Sequence, residues 1–293
     1  MRFGLLLETG GDLALEPLAE QAACAEDHGF DLVWLDERHG AADGIPTPLV
    51  AVAALAPRVA SVRLGASVDV GAVHPITVAE EAAVADQVSG GRLVLGLRAA
   101  AGVPAARFAE AVDVVLAAQA PRPFRHEGET WRIPANLPDN TSVEQRVRVT
   151  PPPAQLEPTV WLQGGGAEAA ARERALAYLG GAGDSDEELA AVWRAAAAHL
   201  GPAAARLRRP ALRDAVVTAA GDVDADGLVT SLRAAREAWG LDVVVWCLPA
   251  GLDRAARLRA VAQLATRVWP RVQIDRLPAG LEERWREEED AQP

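Results

Sequence analysis

The chain has 293 residues, half of them hydrophobic, a formal net charge of −12, and arginine but no lysine among its basic residues. The acidic balance argues against a nucleic-acid partner, because no basic excess offsets phosphate counterions, and the missing lysine excludes Schiff-base chemistry on the protein. No apolar run reaches the length of about 18 residues that a membrane span requires. The two cysteines, Cys24 and Cys247, lie too far apart in sequence to suggest a zinc spacing or a disulfide framework, which suits a reducing cytoplasm.

Apolar runs alternate with Ala-rich stretches along most of the chain. RFGLLLE (2–8) reads as a first strand rather than a signal peptide, since it lacks a basic leader and a cleavage site. A helix follows from about Pro17 to His28, opened by proline and stopped by Gly29. DLVWLDE (31–37) is the second strand, before a helix over 47–59. VRLGASVDV (62–70) is the third, before a helix starting near Pro75. RLVLGLR (92–98) is the fourth, before a helix over 104–118.

Residues 119–157 break the rhythm with proline and polar side chains, a length that predicts a lid, a binding loop or a disordered excursion. Within it, FRHEGETWRI (124–133) has the pattern of a small hairpin. The alternation resumes with TVWLQGG (159–165), a helix over 166–176 and a short strand at 175–180. A further helix is opened by the capping box of Ser185 and Glu188. RDAVVTAA (213–220) with a helix over 225–239, and LDVVVWCL (241–248) with a helix over 253–268, complete the series. The tail, 276–293, is charged and expected to fray.

Eight strand–helix units with buried strands predict a (β/α)8 barrel over residues 1–275, with 119–157 inserted after the fourth unit. A doubly wound open sheet is the alternative. In a barrel the site lies at the C-terminal strand ends, which brings forward Glu8, Asp36 to His39, Ser67 to Asp69, Arg98, Gln163 to Gly166 and Trp246 to Leu248.

Several segments resemble the bacterial luciferase-like family of flavin-dependent oxidoreductases. The most specific is HPITVAEEAAVADQVSGGRLVLGL, beginning at His74. GFDLVWLDERHG, EGETWRIPANLP, VTPPPAQLEPTVWLQGGG and LDVVVWCLPAGLD follow the family's order, so the likeness covers nearly the whole chain. The resemblance implies a (β/α)8 barrel with reduced FMN, or alternatively deazaflavin F420, at its mouth. FMN members use O2 and commonly receive reduced flavin from a separate reductase, whereas F420 members transfer hydride without O2. It also implies a small organic substrate and a homodimer, for which the apolar faces of 47–59 and 75–88 are suited. The chain departs from the family's pattern after Gly96, where Leu97, Arg98 and Ala99 follow. It also departs at Arg38, which occupies the first position of a His-His pair, and at Gly164, Gly165 and Gly166 after the fifth barrel strand.

Candidate roles follow. The turn Gln163-Gly164-Gly165-Gly166 brings backbone N–H groups to a helix start, a phosphate-binding arrangement or an ordinary βα turn. Arg98 is placed either to clamp a flavin phosphate or to pair with Asp69. His39, beside Asp36 and Glu37, has the proton-transfer range of an imidazole; Glu8 and Asp69 are candidates for acid–base work or substrate orientation. His74, before Pro75, is read as structural. Ala66-Ser67-Val68 is where relatives often carry a non-prolyl cis peptide beneath the flavin, so Ala66 and Ser67 join the cofactor candidates. Trp161 and Trp246 are candidates for a pocket lining or for the core. The histidines show no metal spacing. The expected activity is a flavin-dependent monooxygenase. The alternatives are an F420-dependent dehydrogenase, and a non-catalytic subunit that Arg38, Ala99 and Ala100 would favour.

Overall fold

In a strand, successive side chains point to opposite faces, so a barrel strand with helices outside must bury both sets. The computed structural model describes residues 1–8, 14–40, 44–135, 146–164 and 166–273. Its strands in chain order are β1 (Arg2–Leu6), β2 (Leu32–Asp36), β3 (Arg63–Val70), β4 (Leu93–Ala99), β5 (His126–Glu127), β6 (Arg132–Ile133), β7 (Thr159–Gln163), β8 (Ala177–Leu179), β9 (Pro210–Asp214) and β10 (Val243–Cys247). The eight barrel strands are parallel in the order β8-β7-β4-β3-β2-β1-β10-β9, and β5–β6 is a separate antiparallel hairpin. The seam between β8 and β9 is bridged at Gly180, whose N–H donates to Pro210 O (3.1 Å) and whose carbonyl accepts from Leu212 N–H (2.8 Å). The barrel expected from the strand count is therefore present, and the open sheet is set aside.

The helices are α1 (Leu15–Asp27), α2 (Pro48–Leu55), α3 (Pro75–Ser89), α4 (Ala105–Gln119), α5 (Ala167–Glu173), α6 (Asp186–Leu200), α7 (Ala225–Trp239), α8 (Arg254–Gln263) and α9 (Trp269–Gln273). Their ends follow local chemistry. Pro75 opens α3, where His74 Nδ1 accepts from Ile76 N–H (3.3 Å), and Gly90 closes it in the left-handed conformation (φ 66°). The structural reading of His74 holds. The Ser185–Glu188 capping box opens α6 as its sequence requires.

One strand differs from expectation. The run 213–220 was expected to be extended, but β9 ends at Asp214. Its register with β10 pairs Pro210 with Val243 and Asp214 with Cys247, and Ala215 N–H still donates to Cys247 O (2.9 Å). Beyond that, Gly221 N–H donates to Thr218 O (2.9 Å) in a turn that returns the chain to α7, and Val216 is left exposed. Pairing partners, which the apolar run alone does not reveal, set the strand's end.

The two faces of the strands fill two cores. Phe3, Leu5, Leu64, Ala66, Leu95, Leu162 and Trp246 face the helices. Leu6, Leu32, Trp34, Val94, Trp161, Leu212 and Val245 fill the barrel interior. There the rings of Trp34 and Trp161 stack at 5.3 Å with planes 13° apart. Space for the Trp34 indole comes from glycines on the next two strands: a Cβ on Gly65 would lie 1.9 Å from Trp34 Cε3, and one on Gly96 would lie 2.7 Å from Cζ2. Trp246 does not line a pocket; it packs against Phe3 in the outer layer.

The described parts of 119–157 lie against neighbouring elements. Glu110 of α4 accepts from Thr130 N–H and Trp131 N–H and from the His126 ring (3.1 Å), which fixes the predicted hairpin. Gln155 donates to Asp86 Oδ1 (2.7 Å) and Leu93 O (2.9 Å) at the lower end of β4. Residues 136–145 of the segment, and the tail 276–293, lie outside the described residues.

Candidate active site

Strand register decides which polar side chains meet at the barrel mouth. Asp36 lies beside Ser67, Asp69 beside Arg98, and Arg98 beside Gln163, all with inward parity. Arg98 therefore spans β2, β3 and β4. Its Nε donates to Asp69 Oδ1 (2.6 Å), Nη1 to Asp36 Oδ2 (2.9 Å) and Nη2 to Glu37 O (2.6 Å). Of the two roles open to Arg98 in the sequence, the structure contains the pairing with Asp69 and adds Asp36. Burial opposes its charge, but the two carboxylates outweigh burial and raise its pKa. Three of its five N–H groups are used, which leaves two.

Asp36 is a site residue that the sequence reading left among the neighbours of His39. Its Oδ1 is buried and has no hydrogen-bond partner. An orphaned carboxylate oxygen carries a desolvation penalty that a ligand N–H or O–H would relieve. The signal was legible as parity: Leu32, Trp34 and Asp36 share the inward face of β2, so the carboxylate ends an apolar row at the mouth.

Ser67 and Gln163 come together as expected for neighbours of a site, but they satisfy each other. Ser67 Oγ accepts from Trp34 Nε1 (3.0 Å) and donates to Gln163 Oε1 in a short hydrogen bond. Ser67 is fully buried, so this pair forms the floor of the mouth. Odd and even positions of β3 point oppositely, so the Ala66 methyl group is buried in the outer core while Ser67 faces inward. The peptide bonds around Ala66-Ser67-Val68 are trans; among the described residues, cis bonds occur at Ile133–Pro134 and Thr150–Pro151.

His39 lies at the rim, largely exposed, with Nε2 2.6 Å from Glu37 Oε1. Glu37 in turn accepts from Asp69 N–H through Oε2 (2.9 Å). Glu37 thus couples the imidazole to the Arg98 cluster, a second role the sequence left unassigned. Glu8, at the top of β1, has its backbone held by Gln21, whose Nε2 donates to Glu8 O (2.8 Å). Cys247 faces inward opposite Asp214, and its thiol is pushed up to about 12 by burial, then by the charges of Asp214, Glu8 and Asp36. It stays protonated at neutral pH and is no nucleophile.

After β7 the chain turns at Gly164 (φ 88°) and Gly166 (φ 85°) into α5, a conformation that suits glycine. Gly165 lies outside the described residues. A Cβ on Gly164 would lie 3.2 Å from Arg98 Cγ, so the turn rests against that arginine. Gly166 approaches Ala105 at the start of α4, and neither α4 nor α5 carries a side-chain cap on its first N–H groups. Backbone donors at a helix start fit an anionic group, while Glu168 in the first turn of α5 opposes one there. Among the described residues no cluster of His, Cys, Asp and Glu is arranged to hold a metal ion, and no helix is long and apolar enough to cross a membrane.

The mouth thus combines a filled barrel floor, a guanidinium held between two aspartates, and a glycine turn beside an uncapped helix. The model of the luciferase-like monooxygenase family matches residues 1–226, and the chain belongs to this family of flavin-dependent enzymes. No curated protein matches it by sequence. Among solved structures it is similar to the monooxygenase RslO1 from Streptomyces bottropensis, at 19% identity over 92% of this chain and 99% of that one, with a TM-score of 0.75. It is also similar to the oxygenating constituent of 3,6-diketocamphane monooxygenase from Pseudomonas putida, a type II Baeyer–Villiger monooxygenase in complex with FMN. That match has 16% identity, covers 92% and 98%, and has a TM-score of 0.70. EDTA monooxygenase from Chelativorans sp. BNC1 matches at 14% identity over 94% of each chain, with a TM-score of 0.70.

Proposed function

We propose that this protein is a monooxygenase that uses reduced FMN, delivered by a separate reductase, and O2 to oxidise a small organic substrate. The observation that carries the reading is the orphaned Asp36 Oδ1 beside the spare N–H groups of Arg98 at the mouth of a family barrel. The pyrimidine edge of a flavin presents an N–H between two carbonyls, and an acceptor beside a guanidinium is its complement. The Gly164–Gly166 turn and the start of α4 would take the phosphate through backbone N–H groups. When bound, reduced FMN supplies the electrons that activate O2.

The chain's own residues then have distinct tasks. Ser67, Gln163 and the Trp34–Trp161 stack seal the floor against water. Arg98, Asp36 and Asp69 hold the ring's polar edge. The His39–Glu37 pair holds a proton at Nε2 on the rim, within reach of a substrate oxygen entering from solvent. Glu8, Asp36, Asp69 and Asp214 outnumber Arg38 and Arg98, so the mouth favours a neutral or cationic substrate over an anionic one. The protein works in the cytoplasm in this reading, where Cys24 and Cys247 remain free thiols. It also pairs with a second copy through the apolar cleft between α2 and α3, where Val50, Val84 and Val88 are exposed.

The test is an anaerobic calorimetric titration with reduced FMN and, separately, with reduced F420, followed by O2 uptake. Binding of FMN with substrate-dependent O2 consumption is expected, and Asp36→Asn should weaken binding about tenfold or more through the lost acceptor. Binding of F420 alone, without O2 uptake, would replace the reading with a dehydrogenase. Binding of neither would replace it with a non-catalytic subunit.

A further inference from the structure

The lower end of the barrel, opposite the mouth, holds a cavity of about 270 Å3 among the strand starts. Val94, Val243 and the Trp161 indole form apolar wall, and Arg2, Arg63 and Arg208 stand around it. This is a concentration of positive charge in a chain whose net charge is −12. The Arg2 backbone N–H donates to Asp242 O (2.7 Å), whereas its guanidinium has no hydrogen-bond or ion-pair partner among the described residues. Arg63 uses Nη2 alone, toward Leu93 O (3.1 Å), Gln155 Oε1 (3.2 Å) and Thr159 Oγ1 (2.9 Å), so its Nε and Nη1 remain unbonded there.

Asp31 lines the cavity beside these arginines, and Asp242 lies near them; each holds a partner. Asp31 Oδ2 accepts from Phe3 N–H (3.0 Å), and Asp242 pairs with Arg208 (3.1 Å). Burial and then the charge of Arg2 lower the pKa of Arg63, with Asp86 opposing them. Arg2 and Arg63 therefore repel each other across a cavity that has an apolar wall of Leu32, Val94, Trp161 and Val243 on one part of its lining. An anion would relieve that repulsion, and a planar carboxylate matches the guanidinium fork. An apolar cavity of about 150 Å3 already admits benzene, so this one has room for a ring bearing a carboxylate.

We propose that this lower pocket binds a small aryl carboxylate, with its oxyanion on Arg2 and Arg63 and its ring against Trp161, Val94 and Val243. The site is separate from the mouth, because the stacked Trp34 and Trp161 fill the barrel between them. It does not depend on the flavin reading. Trp161 lines the pocket, so occupancy would register in indole emission.

The experiment titrates the full chain with benzoate, followed by calorimetry and tryptophan fluorescence, alongside benzyl alcohol and inorganic phosphate as controls. Saturable one-to-one binding is expected, weakened about tenfold or more by Arg2→Glu and by loss of the charge in benzyl alcohol. The Arg2 side chain is exposed and its charge repels Arg63, so Arg2→Glu should not lower the Tm. Trp161→Phe should lose most of the fluorescence response, and an undiminished response would overturn the placement of the ring. Absence of saturation, equal affinity for benzyl alcohol, or unchanged affinity in Arg2→Glu would overturn the proposal. Phosphate binding as tight as benzoate would overturn the aryl part, since nothing would then read the ring.

Discussion

Gly65→Ala is the sharpest test of how the barrel interior is packed. Gly65 has no left-handed φ, so its backbone accepts alanine, and reduced freedom of the unfolded chain would by itself stabilise the variant by about 0.4–1 kcal/mol. The obstacle is Trp34: the new Cβ would lie 1.9 Å from Cε3 and 2.4 Å from Cζ3. The indole is fully buried, stacked on Trp161 and bonded to Ser67, so it has no empty space to retreat into. Overpacking of this kind costs about 1–3 kcal/mol. Displacing the ring would add about 1 kcal/mol for the hydrogen bond and about 0.5–1.5 kcal/mol for the stack. A net loss of about 2–5 kcal/mol is expected. In a Trp34→Leu background the obstacle is gone, and the same alanine should be neutral or stabilising. Urea denaturation of the wild type, both single variants and the double variant measures the coupling. Equal effects of Gly65→Ala in the two backgrounds, within about 0.5 kcal/mol, would refute the packing argument.

Glu26 gives a pH prediction. Burial pushes its carboxyl up, but N–H groups of Ala60, Ser61 and Val62 and the Ser61 hydroxyl outweigh that and hold it at about 2. A depressed carboxylate stabilises the fold above its ordinary value of 4.5 and loses that contribution as pH falls toward 2. Discounted for solvent screening, Glu26→Gln should destabilise by about 1–2 kcal/mol at pH 7, with the difference from wild type shrinking below pH 4.5 in parallel urea melts. Arg98→Gln should destabilise by about 2–4 kcal/mol because Asp36 and Asp69 lose their shared counter-charge, and Arg98→Lys should restore only part of this; equal stability of all three proteins in urea would contradict it. Ser185→Ala removes the α6 cap and should lower stability by about 1 kcal/mol, read as a Tm loss of about 2 °C, whereas Ser185→Gly should cost only a few tenths.

The site was only partly legible because chemistry and parity are different kinds of information. Arg98 and Asp69 could be placed at strand tops from the alternation of strands and helices. That Arg98 is bound to both Asp36 and Asp69, and rests on Gly164, follows from inter-strand register, which lies between segments distant in sequence. The resemblance names Ala66 and Ser67 together, and the pleat turns their side chains to opposite faces of β3. Asp36 and Glu37 escaped a role because their significance is an unfilled oxygen and a shared contact, neither of which a residue type announces.

By itself the sequence determined the units. Proline, glycine and capping residues bound the helices, two-residue periodicity marks the strands, and the count of eight defines the barrel. These are local properties, governed by backbone sterics and by which N–H groups a neighbouring side chain reaches. Only the tertiary structure decided that β9 stops at Asp214, that Trp34 fills the space left by Gly65 and Gly96, and that Arg98 is clamped by two aspartates at one end of the barrel while arginines gather at the other. Those outcomes depend on pairing across the sheet and on close packing, where each residue's environment is supplied by segments far from it in the chain.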